Sequence, residues 1–188
     1  MKCIIVGQQG SGKSLLGMYL SRCLMDRAAA SGESVYLYTN MNIDNTRFIK
    51  TIADLSQVPF DRTPKILIVD EAMFTLDSRS HSSKQNKVWT RAQAFFRKAN
   101  FLMVLFITHS PDLIDNRMRQ QLDYIIMCRK NKTHFDYLAF DMITQQTKPF
   151  YLPKSNKVYA YADFDTFDFP IPISVDGLSD DVIFKIAK

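Results

Sequence analysis

Eight consecutive residues, Gly7-Gln8-Gln9-Gly10-Ser11-Gly12-Lys13-Ser14, have the types and spacing needed to hold a polyphosphate, and they satisfy the pattern GxxxxGK[ST] in full. The glycines let the backbone curl until successive N–H groups, and the helix N-terminus that follows, face phosphate oxygens. Lys13 can reach the β- and γ-phosphates, and the Ser14 hydroxyl can bind Mg²⁺. The motif needs a strand before it and a helix after it. Cys3-Ile4-Ile5-Val6 supplies the first, and Leu15, Leu16, Tyr19, Leu20 and Leu24 recur at helical spacing to supply the second. A glycine-rich turn that merely links a strand to a helix is the bland alternative, and the context disfavours it.

A second chemical pair, Asp70-Glu71, closes the apolar run Lys65-Ile66-Leu67-Ile68-Val69. Ligands in parallel sheets collect at the carboxyl ends of strands. Asp70 would hold the Mg²⁺ water shell opposite Ser14, and Glu71 could polarise an attacking water as general base. The combination points to hydrolysis by water, whereas a small-molecule kinase needs no such glutamate and usually carries a substrate lid. Glu71 could also be only a helix-starting acid near an N-terminal dipole. Thr108-His109 ends a further buried strand that should lie beside the Asp70 strand. A polar residue there can contact the γ-phosphate or its water, or it can simply cap the strand before Pro111. Spacing does not separate Thr108 from His109.

Arg97 and Lys98 precede that strand. They fit solvated helix-end charges, or an arginine finger for a neighbouring subunit's γ-phosphate. From Ser78 to Lys98 the basic residues Arg79, Lys84, Lys87, Arg91, Arg97 and Lys98 meet no acid. Such a stretch could grip a nucleic-acid backbone without reading sequence, or could be a solvated loop. Arg117, Arg119, Arg129, Lys130 and Lys132 form a second basic set of the same kind.

The elements that must place these groups are those of one α/β domain. The chain has 188 residues, 46% hydrophobic and 23% charged, which is room for one real core and little more. Fully apolar stretches at 3–6, 66–69 and 101–107 imply a sheet covered on both faces, hence parallel and doubly wound. Ser34–Thr39 reads as a second strand, Phe48 to Leu55 as a short amphipathic piece, Asp77 to Lys87 as a mobile loop, and Trp89, Ala92, Phe95 and Phe96 as a helical stripe. Leu122–Cys128 reads as one more strand. Phe135–Met142 with Pro149–Leu152 looks like an antiparallel addition at one edge. No run approaches the ~20 apolar residues of a membrane span, and the chain enters its first strand with no signal peptide ahead of it, so a cytoplasmic location is expected. Cys3, Cys23 and Cys128 lack metal-binding or disulfide spacing and read as reduced core residues. Residues 158–188 carry six aspartates against two lysines, a balance of −4 that leaves +9 of the overall +5 on the rest. A basic body with an acidic tail suits a polyanionic partner.

In order and spacing these motifs resemble the viral P-loop ATPases of the FtsK–HerA class, and within it the Zot-like and genome-packaging ATPases of phages and archaeal viruses. The resemblance is carried by Gly7–Ser14, by Val35-Tyr36-Leu37-Tyr38-Thr39-Asn40, by Ile68-Val69-Asp70-Glu71-Ala72, by Arg97-Lys98 with Phe106-Ile107-Thr108-His109, by Ile114–Arg119, Leu122-Asp123-Tyr124 and Arg129-Lys130, and by the aromatic stretch Tyr161–Phe167. It implies a three-layer α/β sandwich with a central, mostly parallel sheet, a P-loop NTPase of the additional-strand type with antiparallel strands added at one edge. It implies ATP and Mg²⁺ held by Lys13, Ser14 and Asp70, Glu71 as base, and Arg97 acting in trans. The class usually places Gln at the sensor position, where this chain has His109. The implied division is an ATPase domain over 1–157 and an acidic aromatic tail over 158–188, packed on the same domain or on a neighbouring subunit. The implied activity is ATP-driven DNA translocation by a ring of identical subunits, packaging a viral genome into a capsid in the host cytoplasm, with capsid-vertex proteins as partners. A Zot-like morphogenesis or conjugative DNA-transfer ATPase is the alternative of the same kind. A nucleotide or small-molecule kinase is the alternative of another.

Overall fold

The computed structural model describes residues 1–76, 84–164 and 169–178. Its centre is an eight-stranded sheet: β1 (Lys2–Gly7), β2 (Tyr36–Thr39), β3 (Ile49–Thr51), β4 (Lys65–Val69), β5 (Phe101–Thr108), β6 (Tyr124–Lys130), β7 (His134–Asp141) and β8 (Thr147–Pro153). In space the strands run β3-β2-β4-β5-β1-β6-β7-β8. The six from β3 to β6 are mutually parallel, while β7 is antiparallel to both β6 and β8. The expected sheet with an antiparallel edge is therefore present. Strand β5 lies between the phosphate-loop strand β1 and the Asp70 strand β4, which is the additional strand.

Alternation along the central strands explains the layers. Cys3 and Ile5 of β1, Ile66 and Ile68 of β4, and Met103, Leu105 and Ile107 of β5 face a core under helix α1 (Lys13–Ala30), which also holds Val158 and Ala162 of helix α5 (Asn156–Ala162). Their neighbours Ile4, Val6, Leu67, Val69, Val104 and Phe106 face the other side, with Trp89, Ala92 and Phe96 at helix α3 (Lys84–Phe95), Ala72 of the short helix α2 (Ala72–Thr75) and Met118 of α4 (Asn116–Arg119). Period-2 alternation with both faces apolar leaves the sheet no solvated side there. Each fully buried aliphatic or aromatic side chain adds about 1.5–3 kcal/mol.

Several local expectations change, and β6 starts and ends two residues later than the expected Leu122–Cys128. The piece from Phe48 to Leu55 is the edge strand β3 followed by a 3₁₀ turn at Leu55–Gln57, which Asp54 caps and Gln57 closes as a capping box. The second strand begins at Tyr36, two residues later than Ser34. Of the loop expected over Asp77–Lys87, residues 84–87 form the first turn of α3; residues 77–83 lie outside the described residues. After α5, residues 169–178 return over the carboxyl ends of β2 and β4 and bury Ile173, Val175 and Leu178 on the α3 side. The three cysteines are free thiols. Burial pushes the Cys128 thiol up to about 12, as suits an inert core residue.

Candidate nucleotide-binding and hydrolysis site

The loop leaves β1 at Gly7 and enters α1 at Lys13. Gly12, the N-cap, lies in the left-handed region at φ 84°. A Cβ there would meet the Phe135 ring at 2.8 Å and the Tyr137 hydroxyl at 2.9 Å, and the Tyr137 hydroxyl donates to the Gly12 carbonyl at 3.1 Å. Glycine is thus required twice over, by conformation and by space. At Gly7 a Cβ would lie 2.5 Å from the Cys128 carbonyl oxygen. Strand β6 and the β7 edge press the loop from one side.

Lys13 is buried and its ammonium donates to the Gln8 carbonyl at 3.1 Å, which also accepts from the Ser11 N–H. Burial holds its pKa below the ordinary lysine value, with Glu71 and Asp70 pulling it back up. The Ser14 hydroxyl donates to Asp70 Oδ2 at 2.8 Å. Asp70 is buried, and desolvation raises its pKa against the hydrogen bonds from Ser14 and from the Glu71 N–H. A desolvated carboxylate one hydrogen bond from a hydroxyl is a pair of hard oxygen donors that fits Mg²⁺ bound between phosphate and protein. Among the described residues no group of three or more His, Cys, Asp or Glu side chains forms a metal cage by itself. That is compatible with Mg²⁺ held through one hydroxyl, one carboxylate and substrate phosphates.

Glu71 is a non-glycine residue at φ 45°, ψ 48°. This conformation costs on the order of 1–3 kcal/mol and persists only where surroundings impose it. One buried oxygen of its carboxylate, Oε2, has no hydrogen-bond partner, and the other, Oε1, lies 3.6 Å from His109 Nε2. His109 Nδ1 lies 3.5 Å from the Lys13 ammonium. The imidazole therefore stands between the phosphate-loop lysine and the expected base. Thr108 is fully buried beside Val6 of β1. It is His109, the residue just past the end of β5, and not the buried Thr108, that lines the cavity.

The cavity, of about 430 Å³, is lined on its polar side by Gln9, Gly10, Gly12, Lys13, Ser14, Asp70, Glu71 and His109. Phe135, Tyr159, Phe164 and Phe169, with Met41 and Pro170, make its other wall. Gly7, Gln8 and Ser11 shape the loop without facing that space. The aromatic wall was not legible as such in the sequence, since its residues come from β7, α5 and the returning segment.

Arg97 does not join this site within one chain. It is exposed near the starts of β1 and β5, in a cleft with Met1, Lys2, Lys98 and Asp123. The eight residues of β5 separate it from the phosphate loop by about 23 Å at 3.3 Å per residue. Lys87 and Arg91 are exposed on one face of α3, four residues apart. Lys84 opens that helix, and Arg79 lies outside the described residues.

Residues 3–130 match the model of the ATPase family associated with various cellular activities (AAA). That is the span from β1 to the end of β6. The chain belongs to this AAA family. No curated protein matches the sequence. In fold, the AAA chain is similar to the N-terminal domain of zonular occludens toxin (Zot) from Neisseria meningitidis, at 20% identity and a TM-score of 0.60, covering 87% of this chain and 98% of that one. It is also similar to the genome packaging NTPase from Sulfolobus turreted icosahedral virus 2 in complex with ATP-gammaS, at 16% identity and a TM-score of 0.55, covering 79% and 95%. The DNA-packaging ATPase from Sulfolobus turreted icosahedral virus gives 18% identity and a TM-score of 0.55, covering 82% and 98%. Among the described residues no helix is long and apolar enough to cross a membrane.

Proposed function

We propose that this AAA-family protein hydrolyses ATP and uses the energy to move DNA, as a packaging motor built from a ring of identical subunits. The observation that carries the hydrolytic part is the cluster of Lys13, Ser14, Asp70, Glu71 and His109 around one cavity. Lys13 exchanges the Gln8 carbonyl for the β- and γ-phosphates, and Ser14 with Asp70 holds Mg²⁺, which would offset phosphate charge. A base can stack on the wall formed by Phe135, Tyr159 and Phe164. Water attacks the γ-phosphorus, its proton passes to the Glu71 carboxylate, and the bond to the bridging oxygen breaks to release ADP and phosphate. His109, between Lys13 and Glu71, orients the base toward that water.

The motor part is supported by shared fold over nearly the whole length of two packaging ATPases, and by Lys87 and Arg91 on the outer face of α3. Arg97, remote from its own site, would serve the neighbouring subunit's γ-phosphate. The likeness to the Zot domain supports a second reading, a Zot-like morphogenesis ATPase, with the same chemistry and a different partner.

Purified protein should release phosphate from ATP with water as the only acceptor, and duplex DNA of any sequence should accelerate it. DNA binding should weaken with salt, and replacing Lys87 and Arg91 by alanine should flatten the log–log slope by about 0.9 per lost phosphate contact. No phosphate release without a second acceptor would point to a kinase. Hydrolysis indifferent to DNA, with an unchanged slope, would remove the motor reading.

A further inference from the structure

Asn40 follows the last residue of β2 and is buried. Its Oδ1 accepts from the Asp70 N–H at 2.7 Å, and its Nδ2 donates to the Asp70 carbonyl at 2.9 Å and to the Ile171 carbonyl at 2.9 Å. One N–H and two carbonyls leave a single orientation of the amide that satisfies all three. The side chain thus adds one rung between β2 and β4, beyond the last backbone pair at Thr39 and Ile68. It grips both sides of the residue that carries the metal-side carboxylate.

The same amide is where the returning segment docks. The Ile171 N–H donates to the Asn40 carbonyl at 3.1 Å, so the two residues are joined by two bonds. Pro170 and Pro172 flank Ile171 and carry no N–H, which makes that donor the one available in Pro-Ile-Pro, and their fixed φ pre-sets an extended path. Two residues on, the Ile173 N–H donates to the Thr75 hydroxyl at 3.1 Å. Gln85 Nε2 donates to both the Thr75 and Ile173 carbonyls. The segment therefore ties the end of β2, the helix that follows Glu71 and the start of α3. Glu71, at its positive φ, is held between these two anchors, and Phe169 and Pro170 line the cavity itself.

We propose that Asn40 is a positioning residue for the Asp70-Glu71 corner, and that docking of residues 169–174 on it is a condition for hydrolysis. The strap acts on the geometry of the base and the metal-side carboxylate, and not on the loop that binds phosphates. This inference rests on the nucleotide reading above.

Three full-length variants test it: Asn40→Ala, Asn40→Asp, which keeps the shape but sets an acceptor against two carbonyls, and Ile171→Pro, which deletes the donor to Asn40. Binding of a fluorescent ATP analogue, single-turnover hydrolysis and the Mg²⁺ dependence of the rate are measured beside thermal unfolding. Affinity for the analogue should stay within about threefold. Hydrolysis should fall by about 10², the scale of an ångström's misplacement of catalytic groups, and half-saturation should need more Mg²⁺. Asn40→Ala keeps the main-chain carbonyl that accepts from Ile171, so adding Ile171→Pro removes the second of the two bonds, and hydrolysis should fall at least as far as in Asn40→Ala alone. Wild-type rates and Mg²⁺ dependence in folded Asn40 variants overturn the proposal, as does a loss of binding in proportion to hydrolysis. If the Asn40 variants do not fold, Ile171→Pro decides: a normal rate removes the strap from the site. Wild-type protein that hydrolyses no ATP would instead sink the nucleotide reading.

Discussion

Replacing Glu71 by glutamine keeps the length and backbone of the residue and removes the one property assigned to it, the capacity to take a proton. General-base removal lowers rates by about 10²–10⁴, which at 1.36 kcal/mol per decade is about 2.7–5.4 kcal/mol of barrier. The effect on folding should be small. The Glu71–His109 contact, at 3.6 Å with side chains 25% and 37% exposed, is an ion pair only when the histidine is charged, and such pairs contribute about 0–1 kcal/mol. Against that loss, the glutamine no longer raises the pKa of buried Asp70 through like charge. The two terms oppose each other, so stability should move by less than about 1 kcal/mol, or about 2–4 °C for a chain of this size. Single-turnover hydrolysis with trapped ATP separates chemistry from release, and a thermal scan of the same sample reports folding. A folded Glu71→Gln protein that binds ATP and hydrolyses it at the wild-type rate would refute the base assignment. One that fails to bind would mean the side chain shapes the pocket instead.

Asp70→Asn should raise the melting temperature of nucleotide-free protein near neutral pH and abolish Mg²⁺-dependent hydrolysis. The sign follows from burial: a folded-state pKa above the unfolded value makes the ionised Asp70 a cost that acidification through the folded value removes, so the Asp70 contribution to the rise in stability as pH falls toward 3.8 should be missing in the variant. Denaturant titrations across that window check it, and identical pH profiles would contradict it. Arg97→Ala should leave ATP binding intact and stop turnover. Mixing it with Lys13→Ala subunits should restore part of the activity, because some shared sites then pair an intact loop with an intact arginine. A mixture that stays inactive while subunits exchange would reduce Arg97 to a helix-end charge.

Residues 7–14 were legible because the motif is contiguous: a glycine turns, a lysine reaches, a serine offers its hydroxyl to the metal side. Asp70 was legible because the carboxyl end of an apolar strand is a place as well as a sequence. His109 was half legible, since spacing alone does not show that β5 stops at Thr108 and leaves His109 just past the strand end, beside the cavity. Asn40 was not legible as a structural device. At the end of a short strand an asparagine looks like a turn former, and its three partners come from 30 and 131 residues away. Strand β3 has three residues, too few for a period of two to show. The first turn of α3 was hidden by Lys84, Gln85 and Asn86, whose polarity delays the apolar stripe until Val88 and Trp89.

The contact between Tyr137 and Gly12 joins residues 125 positions apart. It makes the edge hairpin part of the mould in which the phosphate loop is cast. A fragment cut at Lys130, where the family likeness stops, would keep every phosphate-binding residue and lose the wall that fixes Gly12. The smallest piece able to recognise a nucleotide therefore extends past its motifs, and anyone transplanting the loop into another scaffold would have to carry β7 with it.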